Sequence, residues 1–253
     1  MIELQGRKAL ISGAAQGLGL AIARLFVERG AQVMLADIDE AGAAKAAAEL
    51  GAMAKSVRCD VTKAADWAGA VEATTAAFGG LDTLVNNAGI EIVKPLFDQS
   101  EEEIGRLMNI NVMGVFLGMR AALGALVASG RGSVVNISSL AGTNGVPLFG
   151  SYAASKSAVL QLTRTAAAEL KPTGIRINAV CPGFVGTAMV DRLIPTVEAI
   201  VGVPFDALVA AKQLRLGTPQ EVAEMTAFLA SDAASWTTGS HYILDGGLSA
   251  GLL

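Results

Sequence analysis

Short apolar runs alternate with longer Ala-rich periodic segments along this whole chain, and few architectures accommodate that order. Residues 8–12, 32–37, 55–59, 83–86, 133–138, 176–181 and 241–244 read as strands. Residues 17–29, 40–50, 64–78, 101–129, 152–171 and 219–231 read as helices. The strand runs are almost continuously apolar, as strands covered on both faces are, whereas a sheet with one wet face alternates apolar and polar side chains. Strand and helix in strict succession then indicate a doubly wound, Rossmann-like α/β fold, a parallel sheet of about seven strands with helices on both faces. No Pro/Gly/Ser-rich linker or change of composition divides the chain, so one domain over 1–253 is expected. Residues 187–215 interrupt the alternation with Pro195, Pro204 and scattered apolar side chains. Ligands of such sheets bind outside the carboxyl ends of the strands, so this stretch is expected to be a lid.

Apolar residues make up 52% of the chain and charged residues 17%. That balance raises the question of a membrane span. The only uncharged run beyond about 18 residues, 132–155, is broken by Gly, Pro, Asn and several Ser, so no spanning helix is expected. The first residues mix charges into a run that leads straight into a strand, unlike a signal peptide, and a cytoplasmic location is the default expectation. A net charge of −4 without basic clusters offers no footprint for nucleic acid or an acidic membrane surface, which leaves a small molecule as the expected ligand. Cys59 and Cys181 are too few and too far apart for a disulfide framework, and the single histidine, His241, has no neighbouring ligand with which to hold a metal.

The first strand runs into Ser12-Gly13-Ala14-Ala15-Gln16-Gly17-Leu18-Gly19, and a helix follows. Gly13 permits the tight turn, Gly17 lets backbone approach a pyrophosphate, and Gly19 lets helix and strand pack closely. Asp37 ends the second strand, where a carboxylate accepts hydrogen bonds from ribose hydroxyls and repels a 2′-phosphate; it could equally cap the next helix, as could Asp39. No Lys or Arg occupies Ala14 to Gln16 or Ile38 to neutralise such a phosphate, which favours NAD over NADP. Further along, Tyr152 and Lys156 are spaced by one helical turn and share a face of any helix that contains them. A phenol is a poor base at neutral pH, and a cation held near it favours the phenolate. Alone that spacing is commonplace.

Taken together these motifs resemble the short-chain dehydrogenase/reductase family, in its shorter, single-domain, typically tetrameric branch. The resemblance is carried by SGAAQGLG at the first turn, Cys59-Asp60-Val61, Asn86-Asn87-Ala88-Gly89, Asn111, Ser139, Tyr152 with Lys156, and Pro182-Gly183 through Thr187. Ser12 departs from the family's usual Thr but keeps a hydroxyl. The resemblance implies an NAD-dependent enzyme that moves hydride between a secondary alcohol and its ketone. Gly13, Gln16, Gly17, Leu18, Gly19, Asp37 and Ile38 would contact the cofactor from the first two strands, and Asp60 and Val61 would flank the adenine. Asn87, Ala88, Gly89, Pro182, Gly183, Val185 and Thr187 would complete the cradle, together with Tyr152 and Lys156. Tyr152 would be the general acid/base, its phenolate stabilised jointly by Lys156 and the positive nicotinamide ring, Ser139 the hydrogen-bond donor to the substrate oxygen with Ser138 as the fallback, and Asn111 the holder of a water beside Lys156.

Ile92, Val93, Val146, Phe149, Met189, Val190, Leu193 and Ile194 are expected to line an apolar substrate pocket. A hydroxysteroid, a cyclic or aryl alcohol, or a hydroxyacyl chain would each suit such walls. An NADP-dependent 3-oxoacyl thioester reductase and a nucleotide-sensing protein without catalysis are the alternatives. The resemblance also implies a homotetramer, paired through 101–129 and 152–171 and through the apolar tail 248–253.

Overall fold

The computed structural model describes residues 2–250, so the end of the expected tail contact, 251–253, lies outside the described residues. The chain forms β1 (Lys8–Ser12), α1 (Gly17–Glu28), β2 (Gln32–Asp37), α2 (Glu40–Leu50), β3 (Ala54–Arg58), α3 (Ala64–Phe78) and β4 (Thr83–Asn86) in its first half. It continues with α4 (Glu101–Met108), a π-helical turn over Asn109–Met113, α5 (Gly114–Ala128), β5 (Ser133–Ile137), α6 (Gly150–Glu169) and β6 (Arg176–Pro182). The last elements are α7 (Ala188–Val201), α8 (Phe205–Lys212), α9 (Pro219–Ala230) and β7 (His241–Leu244).

The seven strands make one parallel sheet in the order β3-β2-β1-β4-β5-β6-β7. Its five central strands are buried on both faces, which is why they read as unbroken apolar runs, whereas the edge strands β3 and β7 are partly exposed. Ala9 and Ile11 of β1 face α1, α2 and α9 in a core with Phe26, Val33, Leu35, Val135 and Leu229. Leu10, between them, faces α3 and α5 in a second core with Met34, Trp67, Leu84, Leu117 and Ile177. Each fully buried Leu or Phe contributes about 1.5–3 kcal/mol by leaving water. Strand order reverses between β1 and β4, and that switch point opens a crevice at the carboxyl ends.

The expected helix over 101–129 forms, but its turns widen to a π arrangement at Asn109–Met113. Local widening of this kind concentrates at functional sites. One correction concerns the membrane. By length and composition alone Glu101–Ala128 is long and apolar enough to cross one, since beyond Glu101–Glu103 its charges are Arg106 and Arg120. Its Leu107, Val115, Leu117, Ala122 and Leu126 are nonetheless buried within the fold. The stretch that interrupts the alternation, 187–215, contains α7 and α8, bent against each other by 89°. Pro195 lies inside α7, and Pro204 precedes α8.

Packing between the sheet and its second helical layer is tight at Gly118 of α5. A Cβ there would lie 2.5 Å from Asn86 Oδ1 and 2.8 Å from the buried indole of Trp67. Gly118→Ala is therefore expected to lower unfolding free energy by about 1–3 kcal/mol despite its better helix propensity. Gly69→Ala, at a helical site with nothing within 4 Å of the new methyl, should raise it by about 0.5–1 kcal/mol. Urea unfolding of both variants reads the pair, and equal effects would contradict the packing described.

Candidate active site

Two turns at the switch point are stapled together. Gly13, at φ 65°, has no room for a side chain, since a Cβ would sit 2.8 Å from Ala88 Cα. The Ser12 hydroxyl accepts hydrogen bonds from the backbone N–H groups of Asn87 at 3.1 Å and Ala88 at 3.2 Å. In return the Asn87 amide donates to the carbonyls of Ser12 at 3.0 Å and Gly13 at 2.9 Å. The Asn87 side chain is thus occupied inside the protein, and what this stretch offers outward is backbone. Gly17, at φ 58°, has open space where a Cβ would be. No side chain caps α1 behind it. Its first N–H groups are left available to an anion. Gly19 lies behind the turn, where a Cβ would approach Asn87 Nδ2 to 2.6 Å.

These groups open onto a cavity of about 550 Å³ that runs from the glycine turn to α7. At one end are Gly13, Gln16, Gly17, Leu18, Asp37, Ile38, Asp60 and Val61. The Asp37 carboxylate accepts from the N–H groups of Ala15 at 2.9 Å and Asp39 at 3.0 Å, which fixes its orientation at the cavity wall. Capping of α2 falls instead to Asp39, which accepts from Gly42 N–H. The Thr62 hydroxyl and amide hold the Asp60 carboxyl below its ordinary range, with the hydroxyl's hydrogen bond the main stabilising contact.

At the other end α6 presents Tyr152 and Lys156. The Lys156 ammonium donates to the Ile137 carbonyl at 2.9 Å, and the Ser138 hydroxyl donates to the Lys156 carbonyl at 2.9 Å. Ser139 lies near enough to the Tyr152 phenol to lower its pKa, and its own hydroxyl accepts from Ala141 N–H at 3.2 Å. Asn111, fully buried in the π turn, accepts from Ile90 N–H at 2.9 Å and donates to the Ile90 carbonyl at 2.9 Å and Ser155 Oγ at 3.0 Å. It lies behind Lys156, not in the cavity wall; a Cβ on Gly89 would stand 3.2 Å from Asn111 Oδ1 and 3.4 Å from Lys156 Nζ.

Of the two cations expected to lower the phenol pKa, Lys156 and the positive nicotinamide ring, the protein itself supplies the first. Lys156 Nζ sits over the Tyr152 ring, 5.6 Å from its centroid. Burial dominates both groups: it pushes Tyr152 up to about 12, against a smaller lowering by Ser139, and brings Lys156 down to about 8. Protein groups alone do not favour the phenolate.

Val146, Phe149, Met189, Val190 and Leu193 line the substrate end, with Ala88, Gly89, Pro182, Gly183, Val185 and Thr187 nearer the strand ends. Thr187 also caps α7 by accepting from Val190 N–H. Ile92, Val93 and Ile194 are not in the cavity wall, and Val93 and Ile194 pack against the apolar cluster beneath α7 and α8. Glu91 and Arg192 line the wall instead. The irregular backbone after β4 turns Glu91 inward, which no periodicity in the sequence marks.

A family model described as enoyl-(acyl carrier protein) reductase matches residues 13–249. A 3-alpha-(or 20-beta)-hydroxysteroid dehydrogenase of Mycobacterium bovis is 43% identical over 99% of this chain and 92% of its own length. A short-chain type dehydrogenase/reductase of known structure from Mycobacterium marinum superposes with a TM-score of 0.89 at 36% identity, covering 99% of this chain and 98% of its own. The chain belongs to the short-chain dehydrogenase/reductase family. Another member of the family, a cyclopentanol dehydrogenase of Comamonas, is 38% identical over 99% of this chain and all of its own length. Relatives within this short-chain dehydrogenase/reductase family are named as dehydrogenases, and the family binds nicotinamide cofactors.

The staple between the two turns is testable by itself. Ser12→Ala strands two backbone N–H groups and is expected to cost about 1–3 kcal/mol. Ser12→Thr, which keeps the hydroxyl, should cost less than half as much in the same urea experiment. Equal losses would mean that the hydroxyl does not hold the turns.

Proposed function

We propose that this chain is an NAD(H)-dependent oxidoreductase that interconverts a hydrophobic secondary alcohol and its ketone, with Tyr152 as general acid/base. One observation carries the reading: Tyr152 and Ser139 line the same cavity as the glycine turn and Asp37. The residues fit the cofactor. Gly17 leaves open space beside uncapped helix N–H groups for a pyrophosphate, and Asp37 is oriented at the wall where ribose hydroxyls would sit. When bound, NAD accepts or returns the hydride at the substrate carbon.

Tyr152 takes the alcohol proton in oxidation and returns it in reduction. Ser139 donates a hydrogen bond to the substrate oxygen. Lys156 holds positive charge beside the phenol, and Asn111 ties the loop after β4 to the turn before Lys156, positioning any water there. Bringing the phenol from about 12 to neutrality corresponds to roughly 7 kcal/mol at ~1.4 kcal/mol per tenfold. Lys156 and the positive nicotinamide ring of a bound cofactor would together supply that stabilisation. The names of the relatives favour a steroid or a cyclic alcohol over a hydroxyacyl chain.

The proposal takes 1–253 as one domain, with residues 187–215 as the substrate lid. Phe149, Val190, Leu193, Val197, Phe205 and Val209 form an apolar cluster of their own, separate from the two sheet cores, on which such a lid can shift. Exposed Met113, Phe116 and Val127 on the long helix, with fully exposed Trp236, support assembly into a homotetramer. A monomeric mass by light scattering would refute that assembly.

Turnover followed by NADH absorbance over a panel of cyclic and steroid alcohols tests the chemistry. Tyr152→Phe should lose at least ~10²-fold in kcat, the usual contribution of general acid/base catalysis; near-normal activity would overturn the mechanism. Asp37→Ala should shift the NADPH-to-NADH ratio of kcat/KM upward by at least about tenfold from a wild type that prefers NADH, since it removes the repulsion of a 2′-phosphate. A wild-type preference for NADPH would remove the NAD assignment.

A further inference from the structure

The substrate end of the cavity carries a charge that its apolar walls do not explain. Glu91, on the loop after β4, and Arg192, on α7, both line it, together with Val146, Phe149 and Leu193. Glu91 is half-buried, and among the described residues the hydrogen-bond donor acting on its carboxylate is its own backbone N–H. It is close enough to Tyr152 and Lys156 to disfavour loss of a proton from either, and close enough to Arg192 to feel its charge, yet the two form no ion pair within 4 Å. Burial holds its own carboxyl above the ordinary range. A half-buried carboxylate whose hydrogen-bond donor is its own backbone N–H keeps accepting capacity to spare, and a ligand that donates there removes part of the cost of burying it.

We propose that Glu91 and Arg192 form a second polar anchor, which holds a hydroxyl of the substrate other than the one that reacts. The inference rests on the oxidoreductase reading above. Arg192 only donates, and a carboxylate only accepts. A hydroxyl does both, so one placed between them donates to Glu91 and accepts from Arg192. The reacting oxygen lies at Tyr152 and Ser139, and the body of the substrate lies against Val146, Phe149 and Leu193. The substrate class is thus an apolar ring system with two separated oxygens: a diol in the oxidising direction and a hydroxyketone in the reducing one. A second carbonyl in place of the hydroxyl could accept from Arg192 but would leave Glu91 unpaired. Because Arg192 belongs to α7, the same hydroxyl links the loop after β4 to the lid.

The test compares cyclohexanol with the cis and trans isomers of cyclohexane-1,4-diol and cyclohexane-1,2-diol, in wild type, Glu91→Leu and Glu91→Gln. The readout is the ratio of kcat/KM for each diol to that for cyclohexanol. Taking a ratio cancels any general effect of Glu91 on Tyr152 or Lys156. At least one diol should exceed cyclohexanol in the wild type. Its ratio should fall about 10- to 100-fold in Glu91→Leu, as expected for losing a hydrogen bond to a charged group, and less in Glu91→Gln, which still accepts one. A ratio unchanged by Glu91→Leu overturns the anchor and assigns Glu91 to the electrostatics of the phenol alone. A wild type that prefers cyclohexanol to every diol overturns it as well. Calorimetric titration of the same alcohols into wild type and Glu91→Leu, each saturated with NADH, reads the anchor apart from turnover. If no alcohol is oxidised yet a diol still binds in a Glu91-dependent way, the proposed reaction fails and the anchor stands; if binding shows no dependence on Glu91, the anchor fails.

Discussion

A buried ammonium organises this site. Lys156 hangs from the Ile137 carbonyl at the end of β5, and Ser138 of the same turn reaches back to the Lys156 carbonyl, so α6 and the end of β5 are tied by reciprocal hydrogen bonds. A Cβ on Gly142 would lie 2.8 Å from the Lys156 backbone, which shows how closely the turn packs on the helix. Tyr152, one turn earlier, is thereby fixed over the cavity with Ser139 beside it. Burying an amine with a single carbonyl partner is unfavourable for its charged form, and its pKa falls to about 8 accordingly. The fold tolerates that cost at the wall of the cavity.

The remaining groups converge because parallel strands end on the same side. Ser12 and Asn87 join the turns after β1 and β4, Asp37 ends β2, and Ser139 follows β5. Asn111 is the exception, since it comes from a helix and not from a strand end. The π turn of Asn109–Met113 presents its amide to Ile90, linking the loop after β4 to Ser155 on α6. A regular α-helical turn would aim that side chain elsewhere.

The central strands were legible in the sequence because both of their faces are buried, and β1, β2, β4 and β7 fall where their apolar runs end. β3 is an edge strand with half-exposed positions, and its expected bounds are displaced by one residue, leaving Cys59 beyond it. α7 and α8 escaped detection because Pro195 inside α7 and Pro204 before α8 read as breakers, whereas tertiary packing on Phe149 sustains both helices. Nothing in a residue string marks a π turn, and nothing marked Glu91, whose direction is set by irregular backbone. Ser138 and Ser139 are alike in the sequence and differ in the structure, where the Ser138 hydroxyl donates to the Lys156 carbonyl. The balance at the phenol in the protein alone was not legible either, because desolvation by burial is set by the fold and not by the spacing of Tyr152 and Lys156.

The central claim is that the protein alone holds Tyr152 protonated and that cofactor charge makes it a usable base. Phenolate absorbance titration tests it most directly, because the chain has only two tyrosines and Tyr152→Phe isolates the signal of Tyr152 from that of Tyr242. In cofactor-free protein Tyr152 should ionise at about 12, above the ordinary phenol, and saturation with NAD⁺ should move it downward. Ionisation below ~10 without cofactor, or no movement on saturation with NAD⁺, would contradict the account.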